Sequence, residues 1–155
     1  MPALEIGDRA PDFALRDQHG QEVRLSSFLG EKAVLLVFYP YAFTGVCTGE
    51  LTGFRDRLGE FETDDTTLLA ISCDSIYTQR AFADRDGIFF PLLSDFWPHG
   101  AVASAYGVLE EDEGCASRSS FVIDRDGVVR WVLHSERGEA RDLDLQAERL
   151  RATRS

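Results

Sequence analysis

Cys47 is the residue whose type and setting best suit covalent chemistry. The stretch Pro40-Tyr41-Ala42-Phe43-Thr44-Gly45-Val46-Cys47-Thr48-Gly49-Glu50 follows an apolar run, Ala33 to Tyr39, that reads as a buried strand. Pro40 stops that strand, and Thr44 with Gly45 suits a helix start. Leu51, Phe54, Leu58 and Phe61 then recur at helical spacing and give the helix an apolar face. Cys47 thus falls in the first turn of a helix fed directly by a buried strand. An ordinary thiol, with a pKa near 8.5, is only about 3% thiolate at pH 7. Free N–H groups and the helix dipole favour the anion at a helix start, as does a neighbouring arginine. Reaching a pKa of roughly 6 takes about 3.4 kcal/mol of preferential thiolate stabilisation. Free cysteines are often simply buried in cores, but the helix-start position and the flanking Gly45 and Gly49 favour a nucleophile here.

The neighbours narrow the chemistry. Thr44 offers a hydroxyl three residues before Cys47, a natural helix N-cap. Glu50 suits a first helical turn, where the dipole favours an acid. Cys47-Thr48-Gly49-Glu50 lacks the second thiol of a Cys-x-x-Cys disulfide reductase. Cys73 ends an apolar run and reads as a buried, inert thiol. His19, His99 and His134 lie far apart, so histidines and cysteines build no recognisable zinc site. No glycine-rich phosphate loop or dinucleotide fingerprint is present, so neither a nucleotide nor a flavin cofactor is expected.

The elements that must position Cys47 follow from pattern. Phe13-Ala14-Leu15 and Glu22-Val23-Arg24-Leu25 flank a turn, Asp17-Gln18-His19-Gly20, and predict an N-terminal β-hairpin. Ser26 is a candidate cap for a short helical turn ending at Gly30. Beyond the nucleophile helix and the polar break Asp64-Asp65, Thr67–Cys73 predicts a second buried strand. A helix from Ser75 to about Asp86, stopped by Gly87, comes next. Phe89–Leu93 predicts a short strand, which Pro91 assigns to an edge or a strand end. Ala101 to Tyr106 reads as a short helix, and Glu110–Gly114 as an acidic loop. Phe121–Ile123 and Val128–Leu133 flank Asp124-Arg125-Asp126-Gly127, a second hairpin signal. A final amphipathic helix spans about Leu143 to Arg151. Strands alternating with helices, then a hairpin and a closing helix, indicate an α/β domain with a mixed sheet.

Length and charge set the bounds. A chain of 155 residues matches one domain, 1–155, with a core that needs no disulfide or metal staple. A net charge of −11 argues against nucleic acid and anionic membranes as partners. Met1-Pro2-Ala3-Leu4-Glu5 begins no signal peptide, and the apolar runs are too short to span a membrane. Three cysteines at irregular spacing form no disulfide framework, so a reducing cytoplasm is expected.

Pro40, Thr44 and Cys47 meet the pattern Pro-x-x-x-Thr-x-x-Cys, which resembles the active-site signature of peroxiredoxins. The resemblance extends from Gly7-Asp8-Arg9-Ala10-Pro11-Asp12-Phe13 to about Trp131. The segments Ala42–Gly45, Pro91–Ala101 and Arg118–Asp124 are most similar to the one-cysteine, alkyl hydroperoxide reductase E type. The resemblance implies a thioredoxin-like fold, with a central mixed sheet flanked by helices. It implies a thiol-dependent peroxidase that reduces organic hydroperoxides, hydrogen peroxide or peroxynitrite through a sulfenic acid on Cys47. Thr44 would then contact thiolate and peroxide, Pro40 would cover the nucleophile, and Arg118, an otherwise ordinary surface arginine, would stand beside the thiolate. Glu50 would either orient that arginine or serve only as a first-turn acid. Recycling is expected from a mycothiol-like small thiol with a glutaredoxin-like partner, or from thioredoxin. Phe96, Trp97 and Pro98 belong either to the core or to a homodimer or larger homo-oligomer interface.

The chain departs from some relatives. Thr52 stands where bacterioferritin-comigratory relatives often carry a resolving cysteine, and the last cysteine is Cys115. Cys115 is therefore the only credible internal resolver, and Glu110 to Glu113 crowd it with like charge. A redox sensor that reacts once and passes oxidation to a partner is the competing function. Steady-state peroxide consumption with a supplied reductant separates the two.

Overall fold

The structure, a computed structural model, describes residues 3–153. Met1 and Pro2, part of the stretch inspected for a leader, lie outside the described residues. The first hairpin joins β1 (Ala14–Arg16) to β2 (Glu22–Arg24) in the register Leu15↔Val23. Asp17 closes its turn by accepting from the N–H groups of His19 and Gln21 at 2.8 and 3.0 Å. β3 (Ala33–Phe38) leads to α1 (Gly45–Asp56); then come β4 (Thr66–Ser72), α2 (Ile76–Asp86), β5 (Leu92–Ser94) and α3 (Ala101–Ala105). A small ribbon of β6 (Leu109–Glu110) and β7 (Cys115–Ala116) precedes the hairpin β8 (Arg118–Ile123) and β9 (Val129–Ser135), and α4 (Leu143–Thr153) closes the chain.

Seven strands form one mixed sheet in the order β2-β1-β5-β4-β3-β8-β9, with β3, β4 and β5 mutually parallel. β3 and β4 are buried along their whole length, which is why both read as unbroken apolar runs rather than alternating ones. Their side chains divide between two cores, as the two-residue strand period requires. Leu35, Val37, Leu68 and Ala70 pack beneath α1, α2 and α4 against Leu51, Phe54, Phe82 and Leu150. Val34, Leu36, Phe38, Leu69 and Ile71 face the opposite core, with Tyr106, Phe121 and Val129. The mixed α/β sheet with an N-terminal hairpin is thus observed as expected. Among the described residues, no helix is long and apolar enough to cross a membrane.

Three local expectations need correction. The nucleophile helix ends at Asp56, and Leu58–Glu60 forms only a single 3-10 turn. Arg57 leaves helical geometry between two poor helix formers, Gly53 and Gly59, so Phe61 folds back edge-on to Phe54 with ring centroids 4.9 Å apart. β5 starts at Leu92 rather than Phe89, which is 83% exposed. Pro91 does mark the strand's end, but β5 lies inside the sheet between β4 and β1. Ser26 sits within the turn Leu25–Phe28 without capping it, and its N–H donates to Asp12 at 2.9 Å.

This topology brings Arg118 toward Cys47. β8 runs antiparallel to β3, pairing Ser119 with Phe38. Arg118, one residue earlier, therefore stands where β3 ends and the Pro40–Thr44 loop begins.

Candidate active site

Cys47 is the third residue of α1 and is fully buried. Thr44 occupies the N-cap position with an extended backbone, φ −92° and ψ 154°. Its side chain does not cap the helix as sequence alone suggests. The hydroxyl donates instead to the carbonyl of Tyr41 at 2.8 Å, and no bond joins it to Cys47. The N–H groups of Gly45, Val46 and Cys47 consequently have no protein acceptor among the described residues. They leave the positive end of the helix turned toward the thiol.

Arg118 is 3% exposed and extends Nη1 to within 3.4 Å of the Cys47 sulfur. The same Nη1 donates to Glu50 Oε1. Nε and Nη2 donate to the carbonyl of Arg137 at 3.1 and 2.7 Å. Of five guanidinium N–H donors, four are thereby engaged, and one on Nη2 has no protein acceptor among the described residues. The guanidinium is fixed in orientation yet keeps a donor for a developing oxyanion.

A second buried arginine completes the site. Arg141 donates to Glu50 from its backbone N at 2.7 Å, from Nε at 2.9 Å and from Nη2 at 3.0 Å. Its Nη1 donates to the carbonyls of Phe38 and Ser119 at 2.7 and 2.9 Å, tying the ends of β3 and β8 together. Burial pushes the Glu50 carboxyl up, but hydrogen bonds and charge from Arg141, then the charge of Arg118, overcome it and hold Glu50 below the usual carboxylate range. Burial likewise lowers Arg141 while Glu50 opposes it, and a guanidinium stays charged at neutral pH. Two buried cations against one buried carboxylate leave one positive charge over beside the Cys47 sulfur. Nothing in the sequence flags Arg141, because an arginine in the polar run Glu136–Asp142 looks like any solvated cation.

The loop between β3 and α1 is held from below. Pro40 is buried at the strand's end. The N–H of Ala42 donates at 2.8 Å to Asp74, whose carboxylate also takes the Ser72 hydroxyl at 2.7 Å. Phe43 adopts a left-handed φ of 67°, a costly conformation for a bulky residue. Phe82, at 5.2 Å between ring centroids, and Arg85, with its guanidinium carbon 4.7 Å from the Phe43 ring, pack against it.

The structure therefore gathers Cys47 and Glu50 around Arg118, which touches both, with Thr44 and Pro40 in the loop alongside. Cys73 and Cys115 are buried and free. Burial, followed by the charges of Asp95, Cys115 and Asp74, pushes the Cys73 thiol up to about 12. Burial also raises the Cys115 thiol, and Glu113 adds to it. The sequence expectation rested on that acidic crowding, but desolvation is the larger cause. Phe96 and Trp97 are 51% and 82% exposed, so neither belongs to the core.

A buried thiol at a helix start, met by a fixed arginine on this sheet, defines a thiol-dependent peroxidase with a thioredoxin-like fold. The AhpC/TSA family pattern matches residues 6–132, and the chain belongs to that family. It is 52% identical over 149 residues, 96% of this chain and 97% of the other, to alkyl hydroperoxide reductase E of Mycobacterium tuberculosis. Among solved structures, the peroxidoxin BcpB of M. tuberculosis superposes with a TM-score of 0.84 at 38% identity, covering 98% of this chain and 99% of that one. AhpC of Mycobacterium bovis superposes with a TM-score of 0.85 at 28% identity over 100% of both chains. These likenesses favour the peroxidase over the sensor.

Proposed function

We propose that Cys47 is the peroxidatic nucleophile of a single-domain, one-cysteine peroxidase, and that organic hydroperoxides, hydrogen peroxide and peroxynitrite are its substrates. The thiolate attacks one peroxide oxygen and the O–O bond breaks. Sulfur gains that oxygen as a sulfenic acid, and the other oxygen leaves as an alkoxide or hydroxide, which takes a proton from solvent, or as nitrite when peroxynitrite is the substrate. The free N–H groups at the start of α1 and the remaining Nη2 donor of Arg118 stabilise the charge that grows on the leaving oxygen. Glu50 orients Arg118 and, with Arg141, fixes the local charge. Pro40 keeps water from the sulfur, and Thr44 joins the peroxide contacts once its hydroxyl turns from Tyr41. A mycothiol-like thiol or thioredoxin then attacks the sulfenic acid, water leaves and a mixed disulfide forms; a second thiol, from the glutaredoxin-like partner or from thioredoxin itself, opens that disulfide and returns the Cys47 thiol. The setting is the cytoplasm. The protein works as a homodimer or larger homo-oligomer through the exposed face that carries Tyr77, Phe96 and Trp97; sedimentation velocity reads the oligomeric state.

The observation that carries this reading is the 3.4 Å approach of Arg118 to the Cys47 sulfur within a buried cluster of net positive charge. Stopped-flow reduction of the three peroxide classes tests it. Cys47→Ser is expected to abolish the reaction, and Arg118→Lys to slow it by about 10²–10³, since an ammonium lacks the fixed fork of donors. Activity surviving in Cys47→Ser transfers the nucleophile to Cys73 or Cys115.

A further inference from the structure

We infer that Arg137 is a positioning residue for the peroxidase reaction: its carbonyl fixes the Arg118 guanidinium, and its own side chain locks that carbonyl to the β6–β7 ribbon. Besides the donor turned to Cys47, Arg118 places three of its five on Glu50 and Arg137, and two of those bonds end on one atom, the Arg137 oxygen. No side chain supplies that acceptor. It lies in the turn Glu136–Glu139, closed by the Glu139 N–H on the Glu136 carbonyl at 3.0 Å. The turn is anchored at Ser135, the end of β9, and at the buried Arg141, but residues 136–140 between them are exposed, so a hold from outside the turn narrows where the Arg137 carbonyl points.

The Arg137 side chain provides the hold. Nη2 donates to Glu110 and Nη1 to Glu113, while Nη2 also stands 3.4 Å from the Cys115 sulfur. Cys115 in turn donates to Glu110 at 3.6 Å. Glu110, Glu113 and Cys115 offer ligand atoms within 4.8 Å of one another, the spacing of a small cation site, and the guanidinium of Arg137 occupies it. One residue thus grips the ribbon with its side chain and the catalytic guanidinium with its backbone. Bringing Arg118 to Cys47 therefore draws on a loop some twenty residues away, and Glu110 and Glu113 act on the reaction without touching peroxide.

The inference rests on Arg118 meeting Cys47 and the peroxide, so the test carries an arm for each. Reduction of a neutral organic hydroperoxide is followed by stopped flow in wild type, Arg118→Lys, Arg137→Ala, Arg137→Lys and the double variant Glu110→Gln/Glu113→Gln. The clamp is exposed, its side chains being 41% to 52% accessible, and exposed pairs hold geometry only modestly. Arg137→Ala and the double variant are accordingly expected to slow the reaction about 2- to 30-fold, with partial recovery in Arg137→Lys. Added salt, which screens exposed pairs but does not steer a neutral substrate, is expected to slow wild type more than Arg137→Ala. Wild-type rates in either the Arg137→Ala or the double variant overturn the clamp. If Arg137→Ala does not fold, the double variant decides, both by its rate and as the reference against which the salt dependence of wild type is read. An unimpaired Arg118→Lys removes Arg118 from the site, whereas a slow Arg118→Lys beside unaffected clamp variants removes the clamp alone.

Discussion

Glu50 sits between two guanidinium groups with 2% of its side chain exposed, and its charge is what lets both arginines be buried. Glu50→Gln leaves two buried cations facing a neutral amide, a change expected to cost about 3–5 kcal/mol in a denaturant titration at neutral pH. The same residue sets an acid dependence. Its carboxyl is held below the usual range in the folded state. Its stabilising contribution is therefore complete above the unfolded value of about 4.3 and is lost as pH falls through the lower folded value. Wild type should lose stability on acidification through that window, and Glu50→Gln should show a shallower decline. An equal slope in both would remove Glu50 from the acid response. At this scale the sequence reveals what acts locally: Cys47 and Thr44 advertise themselves by their place at a helix start. Arg141 and Arg137 do not, since their importance comes from acceptors on β3, β8 and the β6–β7 ribbon that only the folded chain brings near.

Elements were legible wherever one pattern dominated, as in β3 and β4, whose apolar runs are buried throughout. Boundaries slipped where tertiary contacts outweigh local preference. Phe61 keeps the helical spacing of α1 yet reaches the core from beyond the helix end, because the core rewards burial of its ring whatever backbone delivers it. Phe43 shows the same override. Nothing in Tyr41-Ala42-Phe43-Thr44 signals a left-handed residue, yet Phe43 adopts φ 67° so that its ring meets Phe82 and Arg85 while Ala42 reaches Asp74. A residue with a Cβ pays about 1–2 kcal/mol for that conformation, and glycine does not. Phe43→Gly and Phe43→Ala both lose the ring, so their difference isolates the backbone. Phe43→Gly is expected to be the more stable by about 1 kcal/mol in urea titration, the reverse of the order usual for exposed positions in regular structure. Equal stability, or a more stable Phe43→Ala, would mean the loop abandons this geometry once the ring is gone.

Across the whole molecule, three thiols share one chain, and their environments assign them different fates. Cys73, pushed up to about 12 by burial and neighbouring negative charge, is thiolate in only about one part in 10⁵ at pH 7. Cys115 is buried, raised by desolvation, and engaged by Arg137 and Glu110. Resolution of a sulfenic acid needs a thiolate that can attack it, and bonding geometry that brings Cα atoms within roughly 7 Å. Neither internal candidate offers a mobile, ionised sulfur. The oxidised protein should therefore hold its sulfenic acid on Cys47 until a thiol arrives from outside, as recycling by a small thiol or a redoxin requires. Intact-mass analysis after one equivalent of peroxide, with no reductant present, is expected to give a gain of one oxygen that a sulfenic-acid trap fixes at Cys47. A rapid loss of two hydrogens without dimer formation, abolished by Cys115→Ser or Cys73→Ser, would instead establish an internal disulfide and a two-cysteine cycle. The protein would then need far less help from outside, and the Arg137 contact to Cys115 would have to break in every turnover.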